Sequence, residues 1–160
     1  MDDKLTTCLW FPQRDGLEAA RFYAETFPDS KVGDLMHASV DYPGGSAGDV
    51  LSVDFTVLGR AFMGLNSRPE IAPNNTVSFI VITEDQAETD RYWDALINNG
   101  GRPLECGWCE DRWGFSWQIT PRVLLDGMKH PEPAVAQRVM SAMMTMIKID
   151  TAQIQAAIDA

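Results

Sequence analysis

The pattern of hydrophobic positions predicts a strand and then a helix near the start of the chain. Residues 5–11 are rich in β-branched and aromatic side chains, as strands are, and Pro12 ends that run. Asp15 and Glu18 form a capping pair, after which apolar residues recur at helical spacing as far as Phe27. The pattern then predicts a strand at residues 31–40, a glycine-rich loop, and a hairpin of residues 50–57 and 60–65 that turns at Leu58-Gly59.

The same order of elements returns in the second half of the chain. A shift of 70 residues places Leu9 on Phe79 and Asp15 on Asp85, and it superimposes the capping pairs and the helical aromatic residues. Repetition of this kind indicates that a strand–helix–three-strand module has been duplicated. The second copy is predicted to contain a strand at residues 76–82, a helix at 86–98, and strands at 104–108 and 114–120.

Two further amphipathic helices are predicted after this second module. Pro133 suits the first turn of a helix, and Asp150 with Gln153 forms another capping pair. The apolar stripe of these helices is too hydrophobic to face water, so it must pack either on its own module or on a second chain. The stripe consists of Val135, Val139, Ala142, Met143, Met146, Ile154 and Ile158.

Composition and charge narrow the class of protein. The 160 residues include 13 basic and 23 acidic side chains, which gives a formal net charge of −10. Nucleic acids and anionic membrane surfaces require a basic footprint, so neither is expected as a partner. No apolar run approaches the roughly 18 residues of a membrane span, and the acidic N-terminus does not resemble a signal peptide. Because the three cysteines are an odd number, we expect a cytoplasmic protein without a disulfide framework.

Several short motifs resemble one known group of proteins. They are Leu9-Trp10-Phe11, Phe27-Pro28-Asp29-Ser30-Lys31, Trp93-Asp94-Ala95-Leu96, Asp111-Arg112-Trp113-Gly114 and Ser116-Trp117-Gln118-Ile119. From about residue 5 to residue 158 the chain is similar to the PhnB-like group of the vicinal-oxygen-chelate superfamily, a group also labelled 3-demethylubiquinone 3-methyltransferase-like. The resemblance implies an α+β fold of two βαβββ modules, each with a sheet curled around a cavity, and a homodimer. Within this single domain we place module 1 at residues 4–66, module 2 at 75–128 and the C-terminal helices at 133–158.

The resemblance also implies where a metal would bind. In metal-dependent relatives the ligands, usually His and Glu, come from the first and the last strand of each module. The internal repeat places these positions at Cys8 and Ser78 on the first strands, and at Met63 and Gln118 on the last strands. A thiol, a thioether, a hydroxyl and an amide are poor ligands for Mg²⁺, Mn²⁺, Ni²⁺ or Fe²⁺, so we expect neither a metal nor another cofactor.

The cysteine pair and the two histidines favour structural rather than catalytic roles, and a further feature argues against methyl transfer. Cys106 and Cys109 form a Cys-x-x-Cys in a strand-to-turn segment rather than at a helix N-terminus, and too few further ligands are present for zinc. The two histidines, His37 and His130, are not accompanied by a Cys–His or Ser–His signature. The first strand is not followed by the glycine-rich turn of S-adenosylmethionine enzymes, so the sequence does not support methyl transfer.

The preferred hypothesis is a protein that binds a small molecule of unknown identity in its cavity, without the usual metal. Alternation along the first strand places Trp10 on the same face as Cys8. Aromatic walls with a few polar groups are typical of small-molecule pockets. The cavity is therefore predicted to be lined by Cys8, Trp10, Met63, Ser78 and Gln118.

Two alternatives stay open. One is an enzyme of the same superfamily that uses other residues, for example His37, Glu70 or Glu105. The other is a structural or regulatory dimer without a ligand. In either case we expect a homodimer held together by residues 133–158, and the competing account is a monomer whose tail folds back on its own module.

Overall fold

The computed structural model describes residues 4–66, 68 and 72–160 of the chain. The structure divides into two compact units between Pro73 and Asn74, and each unit contains one of the predicted modules. No helix in the described part of the chain is both long enough and apolar enough to cross a membrane. Glu70, one of the alternative catalytic residues, lies outside the described residues.

The first unit is a four-stranded sheet with a helix on one face. Its elements are β1 (Thr7–Phe11), α1 (Gly16–Thr26), β2 (Lys31–His37), β3 (Val50–Val57) and β4 (Arg60–Asn66). The strand order is β1–β4–β3–β2, so the first strand lies beside the last one, and these two strands are parallel. Helix α1 packs on β3, where the ring centroids of Tyr23 and Phe55 are 5.9 Å apart.

The second unit repeats this topology and adds helices after its sheet. Its elements are β5 (Ser78–Thr83), α2 (Gln86–Asn98), β6 (Arg102–Pro103), β7 (Trp108–Glu110), β8 (Ser116–Pro121), α3 (Arg122–Met128), α4 (Pro133–Met143) and α5 (Thr151–Asp159). The strand order is β5–β8–β7–β6, with β5 and β8 parallel. Trp117 packs against Phe79 on the face covered by α2, with ring centroids 5.1 Å apart.

The predicted fold class is confirmed. Both modules have the βαβββ order, and the two tail helices are present. The first hairpin turns at the predicted residues, where Leu58 and Gly59 both have a positive φ, of 49° and 74°. A two-residue turn between twisted antiparallel strands favours this backbone conformation.

Three local expectations are wrong. The strand predicted at residues 104–108 is absent, because β6 ends at Pro103 and a turn precedes β7, which begins at Trp108. Asp15 makes no side-chain capping hydrogen bond, whereas Asp85 accepts one from the Glu88 amide at 2.8 Å. The backbone explains the difference, because Asp85 has the extended conformation of a capping residue and Asp15, with a ψ of 23°, does not. Helix α3 was not expected at all. It begins directly after Pro121 at the end of β8, so no loop residues separate the two elements and indicate that a helix follows.

A buried carboxylate organises the turn between β7 and β8. Asp111 is 4% exposed. Its Oδ1 accepts hydrogen bonds from the amides of Trp113 (2.9 Å) and Phe115 (3.0 Å), and its Oδ2 accepts one from the indole Nε1 of Trp117 (2.9 Å). Three donors replace the hydration that the carboxylate loses on burial. The network therefore holds the first residues of β8 in place.

The C-terminal helices pack on one another within the second unit. Their core consists of Leu124, Val135, Val139, Met146, Ile149 and Ile154, with Ala142, Met143 and Ile158 packed against it. The predicted apolar stripe is thus covered by its own chain, which is the competing account that the sequence left open. The stripe itself gives no reason to expect a second chain, and the homodimer stays a prediction that rests on the family resemblance.

Backbone hydrogen bonds attach this tail to module 2. The amides of Cys106 and Gly107, in the turn before β7, donate to the carbonyls of Met146 and Ile147, both at 2.8 Å. Gly107 has a φ of 80°, and a Cβ at this position would lie 2.9 Å from Ile149 Cγ1. Glycine is required here because the backbone is left-handed and the tail leaves no room for a side chain.

We expect the replacement Gly107→Ala to lower the free energy of unfolding by about 2–4 kcal/mol, since it combines backbone strain with overpacking against the tail. Gly59→Ala is the matched control, because Gly59 also has a positive φ but no atom lies within 4 Å of its added Cβ. The control should lose only about 1 kcal/mol. Urea unfolding followed by circular dichroism measures both values. Equal losses of unfolding free energy in the two variants would show that the tail is not in close contact with the turn at Gly107.

Candidate functional site

Each sheet has one face covered by its helix and one face on the opposite side, which we term the open face. In the first sheet Val53 and Phe55 are buried on the α1 side, and in the second sheet Trp117 and Ile119 are buried on the α2 side. Side chains alternate along a strand, so the residues between these lie on the open faces. All five predicted site residues do so: Cys8, Trp10 and Met63 on the first sheet, and Ser78 and Gln118 on the second.

The three predicted residues of the first sheet are neighbours. Cys8 lies opposite Met63 in the β1–β4 pair, and the Trp10 side chain forms a hydrogen bond with the Cys8 side chain. Trp10 is 39% exposed, so part of its ring is available to a ligand. Cys8 as a whole is exposed, yet partial burial of its sulfur raises the pKa of the thiol more than the Trp10 hydrogen bond lowers it. The thiol is therefore protonated at neutral pH.

The two predicted residues of the second sheet are in direct contact. Gln118 Nε2 donates a hydrogen bond to Ser78 Oγ at 2.8 Å. In the β5–β8 register Ile80 lies opposite Gln118, so the amide side chain reaches Ser78 diagonally across the strand pair. The pair is therefore one hydrogen-bonded unit rather than two separate polar groups.

Ser116 is a residue of this face that the sequence analysis missed. It lies directly opposite Ser78, so by register Ser116 rather than Gln118 is the counterpart of Met63 in the first module. Ser116 is 1% exposed, and its Oγ has no hydrogen-bond partner among the described residues. Burying an unpaired hydroxyl costs about 1–3 kcal/mol. The signal in the sequence was the alternation along β8, which places Ser116 and Gln118 on the same face.

Asp54 is a second missed residue, and it lies on the open face of the first sheet. The register places Asp54 opposite Met63, so Cys8, Met63 and Asp54 form one row across three strands. Asp54 is partly buried. The alternation of buried and less buried positions along β3 was the signal that could have identified it.

The donor atoms at the four aligned positions do not fit a hard divalent metal. They are a protonated thiol, a thioether, a hydroxyl and, at the fourth position, either the predicted Gln118 amide or the Ser116 hydroxyl that the register places there, whereas such ions favour carboxylate oxygen and imidazole nitrogen. Elsewhere in the described ranges, no group of three or more His, Cys, Asp or Glu residues is arranged to hold a metal ion.

The two histidines have local partners. His37 Nδ1 lies 3.0 Å from the Gly48 carbonyl oxygen, to which it donates, and His130 Nδ1 accepts a hydrogen bond from the Glu132 amide at 3.2 Å. Glu105, another alternative catalytic residue, is exposed in the turn before β7. These positions support the structural interpretation of the histidines.

The Cys-x-x-Cys pair also has the environment of structural residues. Cys109 is fully buried, and burial, together with the smaller effects of the Asp111 and Glu110 carboxylates, raises the pKa of its thiol to about 12. Cys106 lies in the preceding turn, where its sulfur is 3.8 Å from the Met144 sulfur, and both cysteines are free thiols. A thiol that does not ionise near neutral pH is a poor redox nucleophile.

A surface cleft lies elsewhere in the second unit, between α3, α5 and the loop that follows β5. Its volume is about 380 Å³. Arg122 forms an ion pair with Glu84 at its edge, where Arg122 Nε donates to a Glu84 carboxylate oxygen at 2.8 Å and holds the pKa of this carboxyl below its usual range. Both side chains are more than half exposed, so the pair is largely screened by solvent.

Comparison with known proteins establishes the family. Residues 3–120 match the family described as 3-demethylubiquinone-9 3-methyltransferase. The chain belongs to this family. No protein with a curated description matches the sequence.

Solved structures agree with this assignment. A PhnB protein from Bacillus cereus is 28% identical, with a TM-score of 0.65 over 74% of this chain and 99% of that chain. The protein PA1353 from Pseudomonas aeruginosa is 19% identical, with a TM-score of 0.59 over 75% of this chain and 98% of that chain, which shows the shared fold alone. The predicted membership in the PhnB-like group of the vicinal-oxygen-chelate superfamily is thus confirmed.

Because Cys109 is fully buried and Cys106 is not, replacing each with serine should change the free energy of unfolding by different amounts. Cys109→Ser should lower the free energy of unfolding by about 1–3 kcal/mol, because it places a hydroxyl in the α2-covered core. Cys106→Ser, the matched control, should change it by less than about 0.5 kcal/mol. Thermal unfolding of the two single variants measures this difference. Equal melting temperatures would contradict the assignment of Cys109 to the core.

Proposed function

We propose that this family member binds a small molecule at the open faces of its sheets and does so without the usual divalent metal. The observation that supports the proposal most directly is the unpaired Ser116 hydroxyl beside Ser78 and Gln118. Buried polar groups in proteins are nearly always hydrogen-bonded, either to protein, to water or to a ligand. A ligand whose binding uncovers this oxygen supplies the hydrogen-bond partner that the protein does not.

The chemistry of these three side chains favours an uncharged polar group on the ligand. Ser78 Oγ accepts the hydrogen bond from Gln118, which leaves the Ser78 hydroxyl proton free to donate. Ser116 offers a second hydroxyl, and none of the three side chains carries a charge. A carbonyl or hydroxyl oxygen can accept from both hydroxyls.

Apolar side chains flank this polar group on the same face. Ile80 and Ile82 are 59% and 45% exposed, and Trp108 lies opposite Gln118 in the β7–β8 pair. A few polar atoms among apolar and aromatic side chains are the usual composition of a small-molecule site. Cys8, Trp10 and Met63 give the open face of the first sheet a similar composition.

Two observations support a function without metal and without methyl transfer. The aligned positions on the first and last strands carry no carboxylate and no imidazole, the ligands that hard divalent ions favour. Residues 12–15 form the turn between β1 and α1, and Glu84-Asp85 forms the turn between β5 and α2. Neither turn contains the glycines that are typical of a nucleotide-binding turn. The methyltransferase in the family's description is therefore not part of the proposal.

The replacement Ser116→Ala tests the proposal. It should leave the stability of the ligand-free protein unchanged or raise it by about 1 kcal/mol, because an unpaired buried hydroxyl is removed. It should also abolish the rise in melting temperature that fragments with a carbonyl or hydroxyl group produce in the wild type. Thr120→Ala is the matched control on the same strand and the same face, and it should retain that response.

Other results would contradict the proposal. One is a fragment screen in which no compound shifts the wild-type melting temperature, or in which Ser116→Ala responds as the wild type does. Another is one equivalent of Mg, Mn, Fe, Ni or Zn in the purified protein, measured by elemental analysis, which would contradict the absence of a metal.

A further inference from the structure

The open face of the first sheet carries a carboxylate near its centre. Asp54 is in the third strand of the row that begins with Cys8 and continues with Met63. Its neighbours along β3, Val53 and Phe55, are buried on the α1 side, so the carboxylate is directed away from the core. This face therefore combines one acidic group with sulfur and aromatic side chains.

Asp54 lacks the side-chain partners that the Glu110 and Asp111 carboxylates have. Glu110 is ion-paired with Arg102 at 2.7 Å, and Asp111 accepts three hydrogen bonds. Within the described ranges, no residue forms a hydrogen bond or an ion pair with the Asp54 side chain. A carboxylate that is partly withdrawn from water is stabilised by a charged hydrogen-bond donor.

The neighbouring strand β2 adds a second carboxylate and no ionic partner for Asp54. Strand β2 bulges at Gly33 and Asp34, opposite Asp54. Gly33 approaches Asp54 so closely that a Cβ there would lie 3.0 Å from the Asp54 carbonyl oxygen and 3.3 Å from the Asp54 Cβ. Lys31 of the same strand lies opposite Thr56, and it forms no ion pair with either carboxylate in the described part of the chain. Lys31 therefore does not balance the charge of either carboxylate, in a chain whose net charge is −10.

We infer that the open face of the first sheet binds a small molecule that carries an ammonium group, and that Asp54 accepts the hydrogen bond from this group. The inference rests on the proposed small-molecule function and names the chemical class of the ligand. Trp10 and Met63 supply aromatic and thioether surfaces on the same face, and both kinds of surface pack favourably against the hydrocarbon part of an organic cation. Asp54 then determines specificity through charge.

Three probes with the same ring separate charge from shape. Tryptamine, tryptophol and indole-3-acetate all carry an indole, and their side chains end in an ammonium, a hydroxyl and a carboxylate group. We expect the full chain to bind tryptamine about tenfold more tightly than tryptophol, the size of one charge-assisted hydrogen bond, and indole-3-acetate least tightly. Isothermal titration calorimetry measures the three affinities, and NMR amide shifts at residues 8, 54 and 63 locate the site.

Charge-matched variants identify the responsible carboxylate. Asp54→Asn should reduce the affinity for tryptamine to that for tryptophol and leave tryptophol unchanged. The control Glu25→Gln removes the same charge from an exposed position on α1 and should change none of the three affinities. Thermal unfolding verifies that both variants are folded, and Asp54→Ser replaces the asparagine variant if that variant does not fold.

The inference and the proposed function fail differently. Equal affinities for tryptamine and tryptophol, or an unchanged tryptamine affinity in Asp54→Asn, overturn the assignment of an ammonium ligand and leave small-molecule binding intact. Absence of tryptamine binding, or amide shifts confined to other residues, also overturns it. The Ser116→Ala experiment on the second unit decides the proposed function independently of these outcomes.

Discussion

The parallel pairing of the first strand of each module with its last strand is the constraint on which the rest of the structure depends. These strands are far apart in the sequence, and the chain between them forms the helix and the other two strands of the module. The pairing places Cys8 beside Met63 in one unit and Ser78 beside Ser116 in the other. One face of each sheet is then covered by its helix. Because side chains alternate between the two faces of a strand, every second side chain lies on the open face. The candidate sites follow from this pairing and not from any local motif.

The sequence allowed the architecture to be predicted better than the site. Duplication, helical periodicity and the Leu58-Gly59 turn are local or repetitive signals, and they predicted the order of elements in both modules correctly. The bounds of the short strands did not follow from them, since residues 104–107 form a turn between β6 and β7. Register is a property of two strands, so the pattern within β8 specified the face that Gln118 occupies but not its partner, and Ser116 was overlooked. Asp54 was missed because a single acidic residue in a strand looks like a solvent-exposed position unless its neighbours across the sheet are known. Helix α3 was missed because it follows β8 without a loop.

The tail shows a different limit of sequence reasoning. An amphipathic stripe predicts that a surface will be covered, and it does not say which chain provides the cover. Here α3, α4 and α5 cover one another, a solution that depended on the helix the sequence did not reveal. Gly127 of α3 permits it, since a Cβ at that position would lie 3.0 Å from Val139 Cγ2. Close approach at this one small residue thus allows the three helices to share a core.

The attachment of this tail through the backbone has an evolutionary consequence. The amides of Cys106 and Gly107 bind carbonyl oxygens, which every residue possesses, so the side chains of Met146 and Ile147 can change while the attachment persists. Gly107 alone is constrained, by its left-handed backbone and by the lack of space beside Ile149. Divergence among related chains is therefore expected to spare that single glycine and to vary the exposed positions around it. The first module has the same sheet topology, so a comparable appendage there would require a similar glycine before its third strand.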